Sequence, residues 1–298
     1  MRQINKNMKV LVTGSSGFLG SIFLDFLKKR DIPYLIYDRN NPEEFTSGFD
    51  SVVNFGGLTP NSSVENMIIS SEEYYVANVG GTELLLKNIS ENENLKKFIN
   101  IGTAAEYGFK DTPIVEEVEE KPEGHYSKSK LEQSRIVEKF SKESGVKTIN
   151  LRLFNVAGLP NGGKNKERAT NNPFIFEKLI SQFVDNFNGR ITINNKNDVR
   201  DYVDIEDINE AILSAIKTDK GESYEIINIC SGVGTKLIDV VDLFGKALDK
   251  EYEVFSVNSG GASISIGVNN KAKKILNWEP KVSLEESIKK MIWQKTEL

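Results

Sequence analysis

Residues 8–20, MKVLVTGSSGFLG, constrain this chain more than any other stretch. Val10, Leu11 and Val12 form a continuous apolar run, the pattern of a strand buried on both faces of a parallel sheet. Phe18, Leu19, Ile22, Phe23, Phe26 and Leu27 then recur three or four residues apart. That spacing predicts a helix from Gly17 to about Arg30 with one stripe packed on the strand. Gly14, Gly17 and Gly20 let the backbone turn sharply and bring helix, strand and ligand close together. The N–H groups from Ser16 to Leu19 would point outward at a helix N-terminus, where unpaired donors and the helix dipole favour a pyrophosphate.

A second apolar run, Tyr34 to Tyr37, ends in Asp38, roughly twenty residues beyond the glycines, where a carboxylate can accept the adenosine ribose hydroxyls. Strand, glycine turn, helix, strand and acid together predict a dinucleotide site formed by Gly14, Ser16, Gly17, Phe18, Leu19, Asp38 and Arg39. Asp38 favours NAD, because a 2′-phosphate would meet its negative charge. Arg39 beside it leaves NADP open.

The rest of the chain alternates short β-rich runs with amphipathic helices and has no internal repeat, which predicts a doubly wound parallel α/β sheet of Rossmann type. Only about a dozen residues separate Asp38 from the next strand, Ser51 to Phe55, too few for a crossover, a strand and a second crossover. One edge strand is therefore expected to be missing. Further strands are expected at Phe98 to Ile101, Val146 to Phe154 and Ile226 to Cys230, with Val199 to Ile205 as strand or loop. Helices are expected at Ile68 to Ile89, Tyr126 to Lys142, Asp207 to Lys217, Lys236 to Leu248, Asn270 to Leu276 and Leu284 to Trp293. Phe109 to Gly124, rich in Glu and Pro, reads as a surface loop over the site, and residues 161–173 as a mobile one. Phe174 to Phe187 is amphipathic and suits a second, smaller lobe. The expected division is a cofactor-binding domain at 1–154 with 205–230, and a mixed α/β substrate lobe at 155–204 with 231–298.

A net charge of −5 disfavours nucleic acid as a partner. No apolar run approaches a membrane span and no signal-peptide core precedes the first strand, so a soluble cytoplasmic protein is expected. The one cysteine, Cys230, has no intrachain partner, and its neighbours Ile227, Ile229 and Val233 suit a buried position. A single histidine, His125, argues against a multi-histidine metal centre or a Ser-His-Asp triad.

Tyr126 and Lys130 lie four apart, on one face of a helix that follows the strand carrying Thr103. A lysine ammonium near a phenol would lower the phenol pKa, and the tyrosine could then exchange a proton with a sugar hydroxyl or carbonyl while Thr103 bonds the same oxygen. Taken alone, the pair more readily describes a solvated helix face.

The chain also carries NVGGTELL at Asn78 to Leu85, GTAAEYG at Gly102 to Gly108, YSKSK at Tyr126 to Lys130, LRLFNVAG at Leu151 to Gly158, VRDYVDIED at Val199 to Asp207, and WEPKVSLEE near its end. In this order and over nearly its full length it resembles the extended short-chain dehydrogenases/reductases that act on nucleotide sugars, the epimerase/dehydratase family. The resemblance implies Thr103 as the catalytic hydroxyl, Tyr126 as general acid/base, and Lys130 as the lysine on the cofactor ribose. It implies Asn155 and Arg200 as ligands of the sugar-nucleotide diphosphate. Asn78 reads either as a cofactor-side residue or as a hydrogen-bonding residue within its helix. A homodimer through the helices at Ile68 to Ile89 and Tyr126 to Lys142 is implied as well.

Three departures matter. Ala104 and Ala105 replace the acidic pair of the family's 4,6-dehydratases, which disfavours dehydration. Asp204 stands where many 4-epimerases carry histidine. The missing edge segment normally contributes an adenine contact. The expected activity is NAD(P)-dependent oxidoreduction at C4 of a nucleotide-activated hexose, first as a 4-keto-6-deoxy-sugar reductase. A UDP-glucose 4-epimerase-like enzyme with tightly bound NAD is the alternative, and a non-catalytic NAD(H)/nucleotide-sugar binder the second.

Overall fold

A computed structural model describes residues 8–60, 69–108, 110, 113–159, 174–258 and 263–296; the loop expected at 161–173 lies outside them. Among the described residues the strands are β1 (Val10–Thr13), β2 (Tyr34–Ile36), β3 (Ser51–Asn54), β4 (Lys97–Thr103), β5 (Lys147–Leu153), β6 (Asn155–Ala157), β7 (Arg190–Ile193), β8 (Val199–Asp204), β9 (Tyr224–Ile229), β10 (Gly234–Lys236), β11 (Glu253–Ser256) and β12 (Ile264–Ser265). The α-helices are α1 (Phe18–Lys29), α2 (Ser71–Tyr75), α3 (Gly81–Ile89), α4 (Gly124–Ser144), α5 (Ile175–Ile180), α6 (Ile205–Lys217), α7 (Leu237–Leu248) and α8 (Leu284–Thr296).

Six strands form the main sheet in the order β2-β1-β3-β4-β5-β9, all parallel. The chain builds outward from β1 to β2 on one side and through β3, β4, β5 and β9 on the other. The order thus reverses between β1 and β3, and a crevice opens at their C-terminal ends. β2 is the edge. Residues 37–50, which lead to β3, hold a single 3-10 turn at Pro42–Glu44 and add no strand beyond β2, as the short spacing requires.

Strand alternation divides the side chains between two cores. Val10, Val12, Ile99, Ile101, Ile149 and Leu151 meet Phe23 and Leu27 of α1 and Ile208 and Ile212 of α6. Leu11, Val52 and Phe98 meet Leu85 and Ile89 of α3 and Val137 and Phe140 of α4. On this second face the C-terminal strand ends carry polar residues in register: Thr13 opposite Asn54, Asn54 opposite Asn100, and Asn100 opposite Asn150. Thr13 Oγ1 donates to Asn54 Oδ1 at 2.7 Å, Asn54 Nδ2 to Asn100 Oδ1 at 3.0 Å, and Asn100 Nδ2 to Asn150 Oδ1 at 2.9 Å. Asn150 Nδ2 passes the row to Ser134 Oγ of α4 at 2.9 Å. Each buried amide thereby has a partner, the condition for burying it at all.

The helix expected at Ile68 to Ile89 runs from Ser71 to Ile89, and Ile68 is outside the described residues. Ser70 and Glu73 start it with a reciprocal capping box. A π-helical turn at Val76–Gly80 interrupts it, where the Asn78 carbonyl accepts from Thr82 Oγ1 at 2.8 Å and Gln133 Nε2 at 3.1 Å.

Within the surface loop expected at Phe109 to Gly124, the described residues 113–124 are exposed or half-buried except at Ile114. Ile114 is buried, its N–H donates to Ile266 O at 2.8 Å, and its own carbonyl accepts from Val268 N at 2.9 Å. Glu116 accepts from Asn228 N of β9 at 2.9 Å. Residues 114–118 are held across the strand ends, where Ile114 and Val118 pack with Tyr107, Phe154 and Cys230. Cys230 is fully buried, as its neighbours imply.

The smaller lobe is centred on β8, which pairs with β10 antiparallel and with β12 and β6 in parallel, beside the parallel pair β7–β11. Its core is aromatic. Phe176, Phe183 and Phe244 are fully buried, with Phe183 stacked on Phe244 at 5.7 Å between centroids and meeting Tyr252 edge-on at 5.2 Å. One residue separates β5 from β6, so Asn155 is delivered straight from the main sheet to this lobe. No described helix is long and apolar enough to cross a membrane.

Candidate active site

At the end of β1, Gly14 has φ of +61°, and a Cβ there would lie 2.7 Å from the Phe55 backbone. A Cβ on Gly20 would lie 2.2 Å from Gly14 O. Both positions require glycine for the turn and the helix to pack. α1 starts at Gly17 with no side-chain cap and no acidic residue in its first turn. Its leading N–H groups face the crevice with no anion of the chain's own, and that fits a pyrophosphate. Ser16 is exposed beside them, Leu19 packs on the core, and Phe18 meets Phe174 of the smaller lobe at 5.0 Å. Asp38 follows β2 and accepts from Asn40 N at 2.9 Å and Asn41 Nδ2 at 3.0 Å, with Arg39 exposed next to it.

Thr103 ends β4 and Tyr126 lies in the first turn of α4; their side chains hydrogen-bond. Tyr74 packs on the Tyr126 ring at 5.8 Å. Burial pushes the Tyr126 phenol above its ordinary pKa; the Thr103 hydrogen bond opposes this, and the Glu106 carboxylate and Tyr74 add to it. Lys130 is buried one turn on, donating to Ile101 O at 2.8 Å and to the Gln133 side chain. Burial pushes its ammonium down to about 8, with Glu106 holding against the fall. The expected depression of the phenol by Lys130 is therefore corrected. The ammonium is engaged with Ile101 and Gln133, and burial decides the direction at Tyr126.

Asn78 is fully buried and hydrogen-bonded within the chain. Its Oδ1 accepts from Leu58 N at 2.6 Å, and its Nδ2 donates to Leu58 O at 3.2 Å and Ser129 Oγ at 2.8 Å. It ties the loop after β3 to α4.

Thr103, Asn155 and Arg200 meet around one cavity of about 270 Å³. Its apolar wall is Ala104, Ala105, Ile114, Leu153, Phe154 and Ile264, and its polar wall adds Glu123, Ser127, Ser263 and Ser265. Arg200 donates from Nη1 to Ser263 O and from Nη2 to Ser263 Oγ, both at 2.7 Å, with Asp198 at 3.6 Å. The acids of the same motif support the scaffold. Asp201 accepts from Ser231 N, Gly232 N and Gly267 N, and Asp204 caps α6 through Glu206 N and accepts from Ser287 Oγ. Asp207 accepts from Lys281 N and Val282 N.

Two buried charges escaped the sequence reading. Glu106 and Arg152 form a fully buried ion pair, Nε to Oε2, at 3.0 Å. The available signal was Arg152 itself, a charge inside the apolar run LRLF, which has to find a partner once the strand is buried.

A model of the NAD dependent epimerase/dehydratase family matches residues 10–230. The chain belongs to that family. A GDP-6-deoxy-D-talose 4-dehydrogenase from Aggregatibacter actinomycetemcomitans is 32% identical over 253 residues, covering 79% of each chain. A UDP-glucose 4-epimerase from Lactobacillus helveticus is 25% identical over 96% of each. Among solved structures, the UDP-glucose 4-epimerase of Thermotoga maritima with UDP-glucose has a TM-score of 0.78 at 26% identity, over 96% of this chain and 97% of that one. The UDP-glucuronic acid 4-epimerase of Bacillus cereus, in complex with UDP-glucuronic acid and NAD, shares the fold with a TM-score of 0.83 at 22% identity, over 97% and 99%. This member of the epimerase/dehydratase family is an NAD-dependent enzyme.

Proposed function

We propose that the enzyme reduces the C4 ketone of a nucleotide-activated 6-deoxyhexose. The observation that carries this reading is the wall beside Thr103, where Ala104 and Ala105 present methyl groups to the cavity. Such a wall suits a sugar bearing a methyl group, and it offers no acid or base for elimination of water. The nicotinamide ring supplies the hydride when bound. The chain's residues do the rest: the first turn of α1 binds the pyrophosphate, Asp38 accepts the adenosine ribose, and Lys130 engages the other ribose. Tyr126, its proton held by burial, donates to the ketone oxygen, and Thr103 orients that oxygen. Asn155 and the fork of Arg200 bind the substrate diphosphate, Arg200 leaving Ser263 to do so. The enzyme works in the cytoplasm as a homodimer through α2, α3 and α4, a reading supported by exposed Tyr75, Val76 and Leu84. The main sheet and its helices form the cofactor domain, and the aromatic lobe the substrate domain.

The near-full-length likeness to a UDP-glucose 4-epimerase favours a second reading, C4 epimerisation with retained NAD. Cofactor release from freshly purified protein separates the two, followed by NADH or NADPH oxidation with a panel of 4-keto-6-deoxy sugars linked to UDP, GDP or dTDP. Cofactor-poor protein that oxidises the reduced nicotinamide only with a 4-keto sugar is the expected result. Stoichiometric NAD surviving gel filtration, with C4 epimers interconverted and no net oxidation, would overturn it.

A further inference from the structure

We propose that Glu106 is a positioning residue for proton transfer at Tyr126: its buried carboxylate fixes the backbone of Thr103 and so aims the Thr103 hydroxyl at the phenol. The inference rests on Tyr126 as the proton-transferring group.

Glu106 is fully buried at the turn that follows β4. Four donors converge on it: Thr103 N at 2.8 Å, Ser134 Oγ at 2.7 Å, Arg152 Nε at 3.0 Å and Asn150 Nδ2 at 3.4 Å. They come from three separate elements, so the carboxylate has no freedom to turn. Arg152 is itself held, by Glu120 and by the Tyr107 ring 4.3 Å below its guanidinium. A Cβ on Gly102 would lie 2.7 Å from Glu106 Oε1, which shows how closely the strand backbone approaches the acid.

The consequence reaches the reacting groups in two steps. Thr103 N–H is pinned by the carboxylate, and Thr103 Oγ1 accepts from Ala105 N at 3.2 Å. The hydroxyl keeps its proton for a donor role, and the Tyr126 phenol is the group beside it. The negative charge acts as well. It favours the protonated forms of Tyr126 and Lys130, both on α4. The other titratable groups around the acid are Arg152 from β5, Glu120 beyond it, Tyr107 on its own turn and Tyr224 from β9. A phenol kept protonated is a proton donor, the role that reduction of a ketone requires.

The test compares Glu106→Gln, which retains an acceptor but loses the charge, with Glu106→Asp, which retains the charge but withdraws it from Thr103. The readouts are kcat and KM, the NMR titration of Lys130 in 13C-lysine protein, and the Thr103 amide proton shift. In the Gln variant kcat should fall about 10- to 100-fold with KM within about twofold. Its Lys130 midpoint should drop from about 8 by about one pH unit. In the Asp variant the midpoint should stay near that of the parent while the Thr103 amide moves and kcat falls.

If the Gln variant does not fold, Glu106→Gln with Arg152→Met removes both charges together, which buried pairs tolerate better than the loss of one. The same lowered midpoint is expected there. Folded variants with unchanged kcat, midpoint and amide shift would overturn the proposal, as would activity lost only in proportion to folded protein. A moved midpoint and amide with no sugar turned over would support Glu106 and overturn the substrate reading instead.

Discussion

The main sheet adds a buried polar layer to its two apolar cores, whereas the smaller lobe is built around a cluster of buried aromatic rings. Beneath the turn that follows β4 lie Asn54, Asn100, Asn150, Glu106 and Arg152, all nearly or fully excluded from solvent. The smaller lobe buries Phe176, Phe183 and Phe244. The aromatic core needs no partners, and its cohesion comes from area and contact. The polar layer depends on its hydrogen bonds, which tie β4, β5 and α4 together beneath Thr103, with Arg152 Nη1 left without a partner. The two arginines show the same division. Arg152 is fully buried between two carboxylates, whereas Arg200 lies at a cavity wall, bonded to Ser263 and Val199 O with the Asp198 carboxylate at 3.6 Å.

The largest effect should come from Tyr126→Phe, with turnover reduced about 10²- to 10⁴-fold. Cofactor binding and thermal midpoint should stay near those of the parent, and near-normal turnover would remove Tyr126 as the acid. Phe183→Ala should cost about 3–5 kcal/mol in denaturant unfolding, the penalty of emptying an aromatic site in a packed core. Arg152→Leu should match it at about 3–5 kcal/mol, for a different reason, because Glu106 is left charged and unpaired in the interior. Arg200→Leu should stay within about 0.5 kcal/mol of the parent and raise KM for the nucleotide sugar. Equal destabilisation by the two arginine changes would break the contrast drawn above.

The last effect is a pH dependence. Lys130 has a folded pKa of about 8 against the ordinary 10.5. Between these values the unfolded chain binds the extra proton, so stability from this group rises with pH, by at most about 1.4 kcal/mol per pH unit. Below pH 8 both states carry the charge and the burial penalty is present in full. The stability of the parent relative to Lys130→Met should therefore climb from pH 8 toward 10.5 in urea unfolding, and a flat difference would contradict the burial assigned to this amine.

Local pattern made much of this legible in advance. The glycine turn, the apolar strands, the missing edge strand and the four-residue spacing of Tyr126 and Lys130 all follow from residues close together in the chain. The Glu106–Arg152 pair depends on the register of β4 and β5, which sets Gly102 opposite Arg152. The burial of Ile114 depends on a bridge to Gly267. Neither contact has a local periodicity to announce it. Spacing puts Lys130 one turn beyond Tyr126 on α4, but its engagement with Ile101 is a contact between helix and strand that spacing along α4 does not contain.

The account stands most directly on the fate of one hydrogen. Incubation of the enzyme with 4-deuterated NADH and a 4-keto-6-deoxy nucleotide sugar should place deuterium on C4 of the product, with one NADH consumed per sugar reduced. Interconversion of C4 epimers without NADH consumption and without deuterium in the sugar would contradict the reductase reading.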